Sequence, residues 1–128
     1  MKEKKIKRKV REGYAQIAQH DSSCCGSIKP CCEGTLTVED ISKNIGYTQE
    51  ELSAVPEGAN LGLGCGNPTA IASLKENEIV LDLGSGAGFD CFLAANKVGK
   101  HGKVIGVDMT PEMIEKARAN AENAGYDN

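Results

Sequence analysis

The chain has 128 residues and a formal net charge of −3 at neutral pH, enough for one small domain or part of a larger one. The acidic balance excludes the overall basic surface typical of nucleic-acid-binding proteins. The sequence contains no apolar run long enough to span a membrane, and its basic start lacks the apolar segment of a secretory signal. We therefore expect a cytoplasmic protein with no membrane or nucleic-acid partner.

The first 55 residues are predicted to be helical and rich in cysteine. Residues 4–20 place apolar side chains at helical spacing. Thr37 is a predicted helix start, and Thr48 with Glu51 forms a capping box for another short helix. A loop with four cysteines separates these parts: Cys24, Cys25, Cys31 and Cys32. We expect residues 1–55 to form one segment and residues 56–128 to begin a second.

From residue 56 the pattern changes. Residues 56–68 are rich in glycine and match no regular element, and residues 69–74 are a predicted short helix. Ile79–Leu83 and Lys103–Val107 read as strands buried on both faces, with a helix at Phe89–Val98 between them. Thr110 is predicted to cap a last helix that ends at Gly125. This βαβα order predicts an α/β fold with a parallel, doubly wound sheet. Two strands cannot cover their own helices, so we expect the front part of a larger domain.

A glycine-rich turn follows the first strand and opens the next helix, in the order Gly84, Ser85, Gly86, Ala87 and Gly88. Glycines there allow a tight turn and close approach of a ligand to free N–H groups. Asp108 ends the second strand, where an acid can accept the hydroxyls of a ribose, and Met109 follows as a flat contact for adenine. The glycines could instead only permit close helix packing. The register of strand, turn, helix, strand and acid favours a nucleoside site.

The spacing of this turn differs from the dinucleotide fingerprint. The stretch LDLGSGAG resembles motif I of the class I S-adenosylmethionine methyltransferases. That resemblance implies a Rossmann-like fold and S-adenosyl-L-methionine as cofactor. It also implies that the loop around the cofactor contains Asp82, Gly84, Ser85, Gly86 and Gly88, and that Asp108 binds the ribose.

The cysteines allow several interpretations. The adjacent pairs could form a zinc site, although zinc ligands are usually spaced further apart, and a soft thiophile or redox exchange fits them better. Cys65 lies between two glycines, where a reactive role is favoured over an incidental one. Cys91 lies just inside a helix and is expected to be a small buried residue, unless the helix start lowers its pKa.

Longer stretches of the sequence favour one interpretation of the cysteines. PEGANLGLGCGNPTAIASL, VLDLGSGAGFDCFLAA and GKVIGVDMTPEMIEKAR are similar to prokaryotic arsenite methyltransferases, and SSCCG and PCCEG resemble their N-terminal region. The resemblance implies methylation of arsenite or its thiol conjugates, held by thiolates, with a thiol reductant. It makes Cys65 an arsenic ligand and catalytic thiol, paired with Cys31 or Cys32. The family uses two further cysteines later in its domain, so we expect this chain alone to be inactive.

Two other functions remain open at this point. The protein could be another class I methyltransferase acting on a small molecule, with incidental cysteines. It could also be a non-catalytic, thiol-rich module that binds metal and does not depend on S-adenosylmethionine.

Overall fold

The computed structural model describes residues 2–20 and 36–128. The elements, in chain order, are α1 (Lys2–His20), α2 (Val38–Asn44), α3 (Gln49–Ser53), α4 (Pro68–Ile71), β1 (Ile79–Leu83), α5 (Phe89–Val98), β2 (Lys103–Val107) and α6 (Pro111–Ala124). Cys31 and Cys32, which are candidate catalytic residues, lie outside the described residues together with Cys24 and Cys25.

The two strands pair in parallel, with α5 as the crossover between them. Ile79 is opposite Lys103 and Leu83 is opposite Val107. The bounds of β1, α5 and β2 coincide with the predicted ones. The order βαβα with a parallel pair confirms the predicted fold class, the front part of a Rossmann-like methyltransferase fold.

The strands are not buried on both faces, and that prediction is wrong for this chain. Ile79 and Leu83 are each 75% exposed, and Leu81 is 59% exposed. The alternate residues Val80 and Asp82 are half-buried on the other face. An apolar run fits a strand covered on both sides, but within residues 2–20 and 36–128 no element covers the second face. The apolar side chains on one face of β1 are therefore not buried by the described residues.

The N-terminal helix shares a small core with the α/β part. Ala18 of α1 packs in one cluster with Leu61, Ala87 of the glycine turn and Met113 of α6. Met113 is only 1% exposed. The predicted boundary at residue 55 stays a prediction, although this cluster contains residues from both sides of it.

Local capping rules account for the short helices. Thr37 begins α2 with a capping box, in which its Oγ1 accepts from Asp40 N at 3.1 Å. Thr48 does the same for α3, accepting from Glu51 N at 3.2 Å, so both predicted helix starts are confirmed. The predicted helix at 69–74 is shorter, because Ser73 adopts a left-handed conformation with φ 49°.

Thr110 occupies the N-cap position of α6, as predicted, with Pro111 in the first turn. Its side chain makes no capping hydrogen bond to a described residue and is 1% exposed. Its backbone N–H donates to Oδ1 of Asp108 at 2.8 Å. Gly125 ends the helix in a left-handed conformation, as predicted.

Candidate cofactor and thiol site

The glycine turn is a left-handed backbone path fastened to the end of β2. Gly84 and Gly86 have φ of 81° and 54°. The N–H groups of Gly84 and Ser85 donate to the carbonyl oxygen of Val107, at 2.7 and 3.0 Å. A Cβ built on either glycine would meet no described atom within 4 Å. The turn therefore needs glycine for its conformation, and its open side is free for a ligand.

Gly88 has a different environment from the other two glycines. A Cβ at this position would lie 2.8 Å from Cε2 of Phe92 and 3.5 Å from Cβ of Ala117. Gly88 is also buried, and it begins α5 with φ 96°. Close packing between α5 and α6 thus explains this glycine, while its predicted contact with the cofactor stays a prediction.

Asp108 accepts a hydrogen bond from the glycine turn and another from the start of α6. Its Oδ2 accepts from the N–H of Gly86 at 3.0 Å, and its Oδ1 accepts from the N–H of Thr110 at 2.8 Å. A carboxylate has about four lone-pair directions, so these two bonds leave capacity for hydroxyl donors. The predicted ribose contact is compatible with this geometry and stays a prediction. Met109, the predicted adenine contact, is 53% exposed beside it.

Asp82 contacts Cys91 on the covered face of the sheet. The thiol donates to Oδ2 of Asp82 at 3.3 Å. Burial, and then the negative charge of Asp82, raise the pKa of Cys91 to about 12. The possibility that the helix start lowers this pKa is therefore wrong, because burial and the carboxylate outweigh the helix dipole. The cofactor contact of Asp82 stays a prediction.

Gly106 of β2 makes room for this arrangement. A Cβ there would lie 2.8 Å from Oγ of Ser85 and 2.9 Å from Sγ of Cys91. Ser85 and Cys91 therefore pack directly on the strand, which ties the glycine turn to the sheet. For Ser85, the contact with the strand is a structural role, and its cofactor contact stays a prediction.

A cavity of about 110 Å³ lies between the glycine turn and the segment that leads to Cys65. It is lined by residues of two segments, 59–64 and 84–90, and by Met113 of α6. Sites for complete ligands usually measure about 300–1,000 Å³, so this cavity fits one end of a nucleoside cofactor. A larger cavity of about 710 Å³ lies at Pro56–Gly58 and α6, and no residue of the glycine turn is in its lining. We therefore place the site at the smaller cavity.

Cys65 follows Gly64, which lines that cavity, and its side chain is exposed and free. In the described part of the chain, no three His, Cys, Asp or Glu side chains gather at a position that could hold a metal ion. None of the helices in the described ranges is long and apolar enough to cross a membrane.

Sequence reasoning missed one residue that contacts both sides of the cavity. The hydroxyl oxygen of Tyr47 lies 2.7 Å from Oδ1 of Asp90 and 2.8 Å from the carbonyl oxygen of Gly66. The sequence alone allows two interpretations of Asp90, a contact with the cofactor or a contact with the edge of the sheet. The structure places it in the cavity lining and against Tyr47. No spacing rule indicates this pair, because 43 residues separate its members.

The family comparison agrees with this geometry. Residues 74–128 match the model of a family described as "Methyltransferase domain". This segment contains the glycine turn, both strands and Asp108. It is therefore part of a methyltransferase domain, whose implied cofactor is S-adenosylmethionine, and the open turn at Gly84 and Gly86 fits such a group.

Curated relatives point to a particular group of these enzymes. The chain is 51% identical over 126 residues to the arsenite methyltransferase of Halobacterium salinarum, covering 93% of this chain and 32% of that protein. It is 36% identical to the arsenite methyltransferase of Aquipseudomonas alcaligenes, covering 93% and 33%. It is 32% identical to protein-L-isoaspartate O-methyltransferase 2 of Archaeoglobus fulgidus, covering 96% and 50%. The chain is thus a homologue of arsenite methyltransferases, and it spans about a third of their length.

Proposed function

We propose that the protein transfers a methyl group from S-adenosylmethionine to trivalent arsenic, supplied as arsenite or its thiol conjugates, and thereby takes part in arsenic detoxification. The observation that carries this proposal is the position of the Cys65 segment. Gly64, the residue before Cys65, lines the same cavity as Gly84 and Gly86. The residue before the proposed thiol ligand and the proposed cofactor turn thus border one small space, and the 51% identity to an arsenite methyltransferase supports the substrate.

The cofactor's amino-acid end is proposed to lie on the open side of the glycine turn. Gly84 and Gly86 would present N–H groups and no side chain to it, while Asp108 and Met109 would receive the nucleoside. When bound, S-adenosylmethionine supplies an electrophilic methyl group. Ser85, Gly88 and Asp82 are also proposed to contact the cofactor, and their packing or hydrogen bonds within the protein hold the turn and α5 in place.

The thiolate of Cys65 is the proposed arsenic ligand. Thiolates suit soft centres, and arsenic bound to sulfur keeps the lone pair that accepts the methyl group, so no proton has to be removed by a general base. The residues then contribute mainly by holding the reacting atoms close together. This role for Cys65 needs a reduced thiol, which is why we place the protein in the reducing cytoplasm.

Methylation converts As(III) formally to As(V), so two electrons must return for another cycle. We propose that Cys65 and one of Cys31 or Cys32 supply these electrons by forming a disulfide. An external thiol reductant would then regenerate both thiols by exchange. The resemblance to arsenite methyltransferases implies two further cysteines later in the domain, which are not among the six cysteines of this chain. For that reason we predict that the 128 residues alone do not complete the reaction.

A chimera tests the proposal. This chain replaces the matching segment of the Halobacterium salinarum arsenite methyltransferase, and methylated arsenic is measured by mass spectrometry. We expect the chimera to methylate arsenite, Cys65→Ser to abolish the activity, and Cys91→Ser to retain it, because a serine hydroxyl can still donate to Asp82. A folded chimera that binds S-adenosylmethionine but methylates no arsenic contradicts the proposal. Full arsenic methylation by Cys65→Ser would contradict the role assigned to Cys65.

A further inference from the structure

The segment around Cys65 has little internal support for its conformation. We define the Cys65 loop as residues 63–67, which contain neither helix nor strand. A Cβ built on Gly66 would meet no described atom within 4 Å. Glycines carry a large conformational entropy in an unconstrained chain. Contacts from outside the loop must therefore fix the position of Cys65.

Tyr47 supplies such a contact from the turn between α2 and α3. Its side chain is 4% exposed, and its ring packs edge-on against Phe89, with centroids 4.7 Å apart and planes at 70°. Phe89 is the first residue of α5, immediately after the glycine turn. The ring thus anchors on the cofactor side of the cavity, and the hydroxyl reaches the carbonyl oxygen of Gly66 at 2.8 Å.

Asp90 orients the same hydroxyl from α5, at 2.7 Å. Burial and the Asp90 carboxylate raise the pKa of Tyr47, so the hydroxyl keeps its proton and remains a donor. One proton faces two acceptors, the Asp90 carboxylate and the Gly66 carbonyl. Asp90 also lines the cavity beside the glycine turn, so a single polar chain joins the cofactor side of the site to the Cys65 loop.

Two further contacts hold the loop on the same support. A Cβ on Gly64 would lie 3.1 Å from Cδ1 of Ile45, which shows how closely the loop packs on the end of α2. At the other end of the loop, Asn67 donates to the carbonyl oxygen of Gly46 at 3.2 Å and to Oε2 of Glu51 at 3.0 Å. These contacts locate the loop on the α2–α3 turn. Tyr47 connects the middle of the loop, at Gly66, to Asp90 of α5. A separate connection to α5 begins at Asn67, which accepts from the hydroxyl of Thr69, whose carbonyl oxygen accepts from Lys97.

We propose that Tyr47 and Asp90 are positioning residues that set the distance between the Cys65 thiol and the cofactor turn. The proposal rests on the proposed function for the meaning of that distance. Its geometric part stands separately: removing the hydroxyl releases Gly66, next to Cys65, from Asp90 of α5, while the cofactor turn keeps its own hydrogen bonds to β2.

The test compares four variants by amide hydrogen exchange of residues 63–67 and by the dissociation constants for S-adenosylmethionine and for arsenite. Tyr47→Phe keeps the ring on Phe89 and removes the hydroxyl. Asp90→Ala removes the acceptor, and Asp90→Asn keeps a side-chain oxygen. Tyr126→Phe is the matched control, because its hydroxyl binds Asn96 and its ring packs on Phe92, away from the loop.

We expect Tyr47→Phe and Asp90→Ala to raise exchange in the loop at least fivefold and to weaken arsenite binding at least fivefold, with the S-adenosylmethionine constant changed less than twofold. Asp90→Asn should restore nearly normal behaviour, and Tyr126→Phe should change none of these values. The double variant Tyr47→Phe/Asp90→Ala should match the single ones, because both remove one connection.

Unchanged loop exchange in Tyr47→Phe, an Asp90→Asn variant as impaired as Asp90→Ala, or additive effects in the double variant would each overturn the proposal. Exchange is measured without arsenic, so it tests the connection even if arsenite binding proves absent. A second outcome is that Tyr47→Phe raises loop exchange but the unmodified protein binds no arsenite. This outcome would overturn the proposed function and, with it, the role of the distance between Cys65 and the cofactor turn.

Discussion

The thiol of Cys91 donates a hydrogen bond to the Asp82 carboxylate at 3.3 Å, on the face of the sheet that α5 covers. This contact gives Cys91 an environment different from that of Cys65, which precedes the same glycine turn in the sequence. Cys91 is half-buried and held protonated, whereas Cys65 is exposed. A thiol acts as nucleophile or ligand in its thiolate form. The arrangement therefore assigns Cys91 to packing and is compatible with the role proposed for Cys65.

Alkylation should distinguish these two thiols. With a pKa of about 12, only about one Cys91 in ten thousand is ionised at pH 8. We expect iodoacetamide at pH 8 to modify Cys65 and leave Cys91 unmodified until the protein is denatured, as read by peptide mass spectrometry. Equal labelling of both cysteines in the native protein would show that the contact with Asp82 does not protect Cys91.

A substitution at Gly86 should block the cofactor. An alanine at φ 54° costs about 1–2 kcal/mol in backbone strain, and its methyl group would enter the open side of the turn. We expect Gly86→Ala to weaken S-adenosylmethionine binding at least tenfold by calorimetry. Gly125→Ala is the matched control, since Gly125 has φ 72° and an equally open surrounding but lies at the end of α6. Equal effects of the two variants would mean that strain alone is being measured.

Asp108 should matter to stability even without ligand. Each of its oxygens accepts from a different backbone N–H, and Asp108→Asn keeps only one acceptor oxygen. We expect this variant to lose about 1–2 kcal/mol of unfolding free energy in urea, the typical cost of one hydrogen bond to a charged group at a partly exposed position. Asp108→Ala should lose more and also weaken S-adenosylmethionine binding by at least about 1 kcal/mol. Unfolding free energies equal to that of the unmodified protein would contradict the internal role.

The pH dependence of stability should carry a contribution from Asp90. Burial raises its pKa above 3.8, and the bond from Tyr47 opposes that rise without cancelling it. The folded state therefore binds this proton more tightly than the unfolded state does, and the associated stability is present below pH 3.8 and is lost as pH rises through the raised value. We expect the unfolding free energy of the unmodified protein to fall relative to Asp90→Asn as pH increases from 3.5 to 7. If the unfolding free energy of the unmodified protein instead rises relative to Asp90→Asn over this range, the pKa of Asp90 is lowered by folding and the assigned direction is wrong.

Local patterns predicted the fold better than they predicted the site. The bounds of β1, α5 and β2 follow from apolar runs punctuated by glycine, and Thr37 and Thr48 mark their helices by a three-residue rule. The Tyr47–Asp90 contact joins residues 43 positions apart, and no local rule contains that information. The exposure of Leu81 was missed for a related reason, because its apolar pattern is typical of a strand covered on both faces, whereas none of the described residues covers this face.

The glycines show the same limit at finer scale. In sequence, Gly84, Gly86 and Gly88 form one motif. In the structure, the first two border open space, whereas Gly88 lies against Phe92. Spacing identified the turn, but only packing separates the positions available to a ligand from the position that helix contact requires.

Native mass spectrometry of the reduced protein tests the central claim most directly, with arsenite and S-adenosylmethionine supplied separately and together. We predict one cofactor adduct and an arsenic adduct that Cys65→Ser removes and Cys91→Ser retains. Cofactor binding with no Cys65-dependent arsenic adduct would contradict the arsenic assignment. Arsenic binding that Cys65→Ser leaves intact and that occurs without any cofactor adduct would indicate a thiol-rich metal-binding module instead.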